Sequence, residues 1–190
     1  MKDKVVMVFG DSITYGLYDD ELNGWVNRIR NKLEKDNYFV FNLGIPGQSS
    51  IDLKNRFELE IKNRYNNEDD FIIIYAIGIK DALKLNDDIK NLNIFEDNIK
   101  YIINITKKYS KQIYFLSLIE PDYKKRTMYL KENVYLINNK LKELSLNNSE
   151  NYIDVFNILD NINLIDGLHP DSKGNKLISL EVLEKLTNSK

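Results

Sequence analysis

The chain has 190 residues, 43% of them apolar and 29% charged, with a formal net charge of −2 and no cysteine. That size and composition predict one soluble domain over residues 1–190 with a sizeable core, and they exclude a disordered chain, a disulfide framework and thiolate chemistry. The near-neutral balance offers no general electrostatic case for binding nucleic acid or an anionic membrane. Met1-Lys2-Asp3-Lys4 leads into only five apolar residues, too few for a signal-peptide core, and no stretch approaches the ~20 apolar residues of a membrane span. With Met1 as the natural start, the expected location is the cytoplasm.

The first element is the continuous apolar run Val5 to Phe9, which reads as a buried parallel strand because it does not alternate. It stops at Gly10-Asp11-Ser12, and Gly16 follows four residues after the serine. Tyr15 to Gly24 is polar and irregular. Asn23 is expected to cap a helix from about Trp25 to Lys35, with Val26, Ile29 and Leu33 inward and Trp25 as a packing anchor. A second strand, Tyr38 to Leu43, ends in the Gly-rich loop Gly44-Ile45-Pro46-Gly47, and Leu53, Phe57 and Ile61 then repeat every four residues on a helix capped by Ser49, Ser50 or Asp52. Asp70 to Ile77 is the clearest strand, rich in β-branched residues, and it ends in Gly78-Ile79-Lys80-Asp81. Residues 82–93 read as a loop or broken helix, Ile94 to Tyr109 as a helix, and Gln112 to Leu118 as a fourth strand stopped before Pro121. Lys124, Lys125 and Arg126 read as solvated surface. A long helix from Tyr129 to Leu146, a short strand from Tyr152 to Phe156, an irregular loop from Asn161 to Asn175 and a last helix from Ser172 to Leu186 complete the chain. Five alternations of strand and helix, without internal repeat or linker, predict an α/β fold: a five-stranded parallel sheet in three α/β/α layers.

In such a sheet the loops after the strands gather along one edge. Ser12, Gly47, Lys80 and Glu120 all follow strands, and Asp166 and His169 lie in the last loop. Turn residues are polar in any protein, so each position also has an ordinary reading as loop surface. Together, though, they supply the parts of an acyl-transfer site. Ser12 stands at a sheet edge where a nucleophile is served by outward N–H groups. His169, the single histidine, lies three residues after Asp166, whose carboxylate is placed to fix its tautomer. Gly47 lacks the Cβ that would keep a developing oxyanion from its backbone N–H.

These residues carry a family resemblance. Gly10-Asp11-Ser12-Ile13 resembles the first block of the SGNH, or GDSL-type, hydrolases, and Asn42-Leu43-Gly44-Ile45-Pro46-Gly47 the second. Gly78-Ile79-Lys80-Asp81 resembles the third, normally Gly-x-Asn-Asp, and Asp166-Gly167-Leu168-His169-Pro170 matches the Asp-x-x-His block. The resemblance implies a flavodoxin-like fold and a serine esterase or acylhydrolase acting on a small-molecule ester without metal or cofactor. Ser12 is implied as nucleophile, His169 as general base and Asp166 as its orienting acid. The implied oxyanion hole is the Ser12 and Gly47 N–H groups with a third donor at position 80; Asp11 and Asp81, within the first and third blocks, are expected to support the site.

The chain departs from the pattern at that third donor, where Lys80 replaces a short, neutral, planar Asn. Its ammonium reaches the oxyanion, folds away to Asp81, Asp11 or solvent, or blocks the pocket; the sequence leaves all three open, and weakened turnover is one consequence. The expected substrate is a small ester, first an acetyl ester. The alternatives are a lysophospholipase or thioesterase, a catalytically impaired SGNH-like binding protein, and a phosphate or nucleotide binder. The last lacks both Gly-x-Gly-x-x-Gly and a Walker-type Gly-Lys-Ser/Thr. Oligomeric state is not specified by anything in the sequence.

Overall fold

The structure is a computed structural model that describes residues 2–188. Its sheet comprises β1 (Lys4–Gly10), β2 (Tyr38–Gly44), β3 (Asp70–Ala76), β4 (Gln112–Leu116) and β5 (Asn151–Ile153). All neighbouring strands are parallel, in the order β2-β1-β3-β4-β5, the flavodoxin-like order of doubly wound sheets. The helices are α1 (Ser12–Tyr15), α2 (Trp25–Leu33), α3 (Ser50–Lys62), α4 (Ile79–Lys84), α5 (Asn91–Thr106), α6 (Lys131–Asn147) and α7 (Ser172–Asn188). Helices α2 and α7 pack together on one face, and α3, α5 and α6 form a row on the other, as right-handed crossovers require.

The burial pattern explains the apolar runs. Central β1 and β3 are covered on both faces, so Val6, Met7, Val8, Phe9, Ile73 and Ile74 are all buried. Edge strand β2 is covered less well: Val40 is buried while Phe39 and Phe41 remain exposed. Trp25 is fully buried at the start of α2, as expected of a packing anchor. No helix among the described residues is long and apolar enough to cross a membrane.

Several boundaries differ from the sequence reading. Asn23 does not cap α2: Gly24 holds the cap position, and the free Trp25 N–H donates instead to Asn175 Oδ1 of α7 at 3.0 Å. A tertiary partner has replaced the local one. Helix α2 tightens into a 3-10 turn at Glu34–Asp36 and stops at Asn37, whose φ is +60°. Residues 79–84 form a short helix that begins before the loop or broken helix expected over 82–93, and α5 starts at Asn91 rather than Ile94. Strand β4 ends at Leu116 because its partner β5 is only three residues long and pairs no further than Leu116 with Ile153. Helix α3 starts as expected, with Asp52 Oδ2 accepting from both the Ser49 N–H and Oγ at 2.9 and 2.7 Å.

What positions the site is a row of small residues at the carboxyl ends of three strands. Gly10 stands in register between Gly44 and Ala76. Helix α1 folds directly onto this row. A Cβ on Gly44 would lie 2.4 Å from Tyr15 N, 2.8 Å from Thr14 C and 2.9 Å from Asp11 O, all backbone atoms. Gly44→Ala therefore forces α1 off the strand ends and should destabilise the fold by about 1–3 kcal/mol. Urea denaturation checks this; a midpoint unchanged from wild type would show that α1 sits there loosely.

Candidate active site

Ser12 is presented by one helical turn. Asp11 caps it, its Oδ1 accepting the Ile13 N–H at 2.9 Å, and Gly16 closes it in the left-handed conformation at φ +92°. Only glycine fits there: a Cβ on Gly16 would lie 2.2 Å from the Asn23 carbonyl oxygen. The turn is tied to β2 by Asn42, whose Nδ2 donates to Thr14 O at 3.0 Å while its Oδ1 accepts the Gly44 N–H at 3.0 Å.

The last loop brings His169 to the same place. It is pinched by a bridge between Leu164 and Pro170, with Ile165 N donating to His169 O at 2.9 Å. Asp166 Oδ1 accepts the backbone N–H groups of Leu168 and His169 at 3.0 and 2.9 Å. Its Oδ2 lies 2.8 Å from His169 Nδ1. An ionised carboxylate only accepts, so the ring proton sits on Nδ1 and Nε2 keeps its lone pair. That Nε2 is 2.9 Å from Ser12 Oγ, which donates to it. Three residues singled out from sequence thus form one hydrogen-bonded run.

Electrostatics favour a neutral ring. Burial, and after it the Arg126 guanidinium, lower the His169 pKa from 6.5 to about 4. Arg126 is the residue the sequence reading misplaced. It is not solvated surface: its Nε donates to Asp166 O at 2.9 Å and its Nη2 pairs with Asp166 Oδ2. The available signal was position, since Arg126 follows a strand as Ser12 does, and an arginine among lysines carries a planar fork suited to a carboxylate. Arg56 was also missed. From α3 it donates to Leu43 O and Gln48 Oε1, both at 2.7 Å, and so holds the loop containing Gly47.

The remaining candidates are distributed differently. Gly47 has φ +80° and is exposed, with open space where a Cβ would stand. Lys80, in the first turn of α4, is exposed and makes no hydrogen bond or ion pair with any described residue. It has not folded onto Asp81 or Asp11. Asp81 turns inward, accepting Ser50 N and Oγ at 2.9 and 2.6 Å, and so ties α4 to the start of α3. Burial raises its pKa against the pull of the Ser50 bonds and Lys84. Glu120 is engaged elsewhere, with Tyr135 OH at 3.2 Å and Lys131 at 3.8 Å. Tyr18 packs its ring edge-on to His169, 5.3 Å between centroids, from a left-handed backbone at φ +69°. That unusual conformation is held by its neighbour Asp19, which is buried against Arg28, the Gly24 and Glu21 N–H groups and Ser172 Oγ. Among the described residues no group of three or more Asp, Glu or His side chains is arranged to hold a metal ion.

A flavodoxin-like sheet with a serine after β1 and a histidine before the last helix is the SGNH hydrolase fold. The profile of the GDSL-like Lipase/Acylhydrolase family matches residues 8–177, and the chain belongs to that family. Among solved structures, a catalytic mutant of Axe2, an acetylxylan esterase from Geobacillus stearothermophilus, superposes with a TM-score of 0.78 at 18% identity, covering 98% of this chain and 95% of that one. A member of the lipolytic protein G-D-S-L family from Veillonella parvula gives 0.78 at 20% identity, with 97% and 99% covered. LAE5, an alpha/beta hydrolase enzyme from the metagenome of Lake Arreo, Spain, gives 0.76 at 18% identity, with 96% and 94% covered. No curated protein sequence is significantly similar to the chain.

Beneath Ser12, Asp11 is buried, and burial with the neighbouring Asp81 charge raises its pKa from 3.8 to about 7 against the Ile13 hydrogen bond. The folded state therefore holds a proton that the unfolded chain releases above 3.8, and Asp11 subtracts stability as pH rises from there to about 7. Asn keeps an acceptor for Ile13 and never ionises. The stability of Asp11→Asn relative to wild type should grow between about pH 4 and pH 7 and level off above. Urea denaturation across that range checks it, and a pH-independent difference would contradict it.

Proposed function

We propose that this chain is a single hydrolase domain that cleaves a small acyl ester, first an acetyl ester, by acyl transfer through Ser12. The observation that carries the reading is the hydrogen-bonded run from Ser12 Oγ to His169 Nε2 at 2.9 Å and from His169 Nδ1 to Asp166 Oδ2 at 2.8 Å.

In the first step Ser12 Oγ attacks the ester carbonyl carbon and its proton passes to His169 Nε2. Asp166 holds the ring and stabilises the imidazolium that forms. The oxyanion is received by the Ser12 and Gly47 N–H groups. Collapse of the tetrahedral intermediate breaks the bond to the alcohol oxygen, which takes the proton from His169. Water then enters, gives its proton to His169 and attacks the acyl carbon, and Ser12 leaves as the free hydroxyl.

Lys80 stands where the family pattern has its third donor. Lys80 is exposed and makes no hydrogen bond or ion pair with any described residue, so it is not held towards the oxyanion as a fixed amide would be. Activity is therefore expected, but weaker than with Asn. The acyl group is proposed to be small. The acetylxylan esterases among the structural neighbours fit the same reading.

The test is hydrolysis of p-nitrophenyl acetate. Ser12→Ala should lower kcat by on the order of 10⁴-fold or more. Lys80→Asn should raise kcat by roughly tenfold or more, within the range of a restored oxyanion donor; a fall would make the lysine part of the mechanism. Wild-type turnover that survives in Ser12→Ala would sink the proposal. Because His169 acts only when neutral, the acid limb of kcat/KM should have its midpoint near pH 4 rather than 6.5. A midpoint at 6.5 would mean that the ring is not desolvated as the structure has it.

A further inference from the structure

We propose that Arg126, from the loop between β4 and α6, is a positioning residue for the Ser12–His169 pair: by gripping Asp166 at both its main-chain oxygen and its carboxylate, it sets where His169 stands and how readily His169 takes a proton. The inference rests on the hydrolase reading above.

The geometry is a clamp between two loops. Arg126 Nε donates to Asp166 O at 2.9 Å and Nη2 pairs with Asp166 Oδ2. Four residues before Arg126, Asp122 N donates at 2.8 Å to the carbonyl of Gly167, the residue after Asp166, and Gly167 lies so close that a Cβ on it would stand 2.7 Å from Lys125 Cβ. Arg126 is itself fixed by a turn, its N–H donating to Asp122 O at 2.8 Å and its carbonyl accepting from Tyr129 N at 3.0 Å. A planar fork serves a carbonyl and a carboxylate of one residue at once in a fixed geometry, whereas a lysine ammonium offers rotatable donors on a flexible stem.

The clamp also has an electrostatic effect. Asp166 Oδ2 is shared between Arg126 and His169 Nδ1. A carboxylate already neutralised by a guanidinium stabilises an imidazolium less. The groups facing His169 are Ser12 from α1, the Tyr18 ring from the loop after it, Asp166 on its own loop and Arg126 across the interface. Of these, Arg126 is the cation, and it acts on the ring through Asp166 and through space. It therefore exchanges basicity for position: without it, the histidine should be less well placed yet more easily protonated. A role confined to holding the loops together predicts the first change and not the second.

His169 is the one histidine in the chain, so its imidazole Cε1–H signal is assigned in a proton NMR titration by inspection. Arg126→Gln should move the His169 midpoint up by about one pH unit, lower kcat for p-nitrophenyl acetate by about tenfold to 100-fold, and leave KM within about twofold. Arg126→Lys keeps the charge and loses the fork. Its midpoint should stay close to wild type while kcat still falls. An unmoved midpoint in Arg126→Gln, or a change confined to KM, would overturn the proposal. If Arg126→Gln does not fold, Arg126→Lys decides: wild-type kcat there would refute the clamp. The titration needs no turnover. Absence of Ser12-dependent hydrolysis in wild type would overturn the esterase reading, while the Arg126→Gln midpoint would still test the effect of Arg126 on the ring.

Discussion

The close approach of α1 to the ends of β1 and β2 is the constraint on which the site depends. Gly10, Gly44 and Ala76 stand side by side at the carboxyl edge of the sheet, and the helical turn carrying Ser12 rests on Gly10 and Gly44 at distances no side chain would allow. With larger residues in that row the strands would still pair, but the turn would be lifted away. Ser12 would then leave hydrogen-bonding range of a histidine held by a separate loop. Packing at the sheet edge and the reach of the serine are one geometric problem, and the sequence solves it with missing side chains.

Around that contact the loops are cross-braced by buried charges, and their environments set them apart. Asp11 forms no ion pair with any described residue, and burial drives its pKa up to about 7. Asp19 is also buried, yet Arg28, Ser172 and two backbone N–H groups outweigh burial and drive its pKa well below the usual carboxylate range. Asp81 is likewise raised by burial while held by Ser50, which in turn accepts from Asn98 Nδ2 at 3.0 Å. Each carboxylate fixes a different loop at the same edge. The result is a set of short, individually fastened segments, the preorganisation that acyl transfer needs.

The sheet was legible because both faces of its central strands are covered, which forces unbroken apolar runs such as Val5 to Phe9. Ser12, Asp166 and His169 were legible because local punctuation marks them: a glycine ending a strand, and an Asp three residues before the single His. Arg126 was not, because its partner lies 40 residues away, and one arginine beside two lysines is a faint signal against the ordinary reading of a charge run as solvated surface. The N-terminus of α2 was misread for the same reason, since its first N–H is satisfied 150 residues further on. Lys80 was recognised as a departure, but its exposure follows from the course of α4, whose start at Ile79 was read only as the end of a strand. Local chemistry shows in a sequence; a partner supplied by the tertiary fold does not.

The separation of Ser12 from His169, 157 positions along the chain, has a consequence for how the protein comes into being. Ser12 is made with the first strand, and His169 follows 157 residues later. Asp19, which fastens the first loop, likewise waits for Ser172. Contacts so distant in sequence form late, because ordering the intervening chain must come first. Under the mechanism proposed above, a chain in which the loop of His169 has not yet docked carries an unactivated serine, so reactivity of Ser12 would report that the two loops have come together.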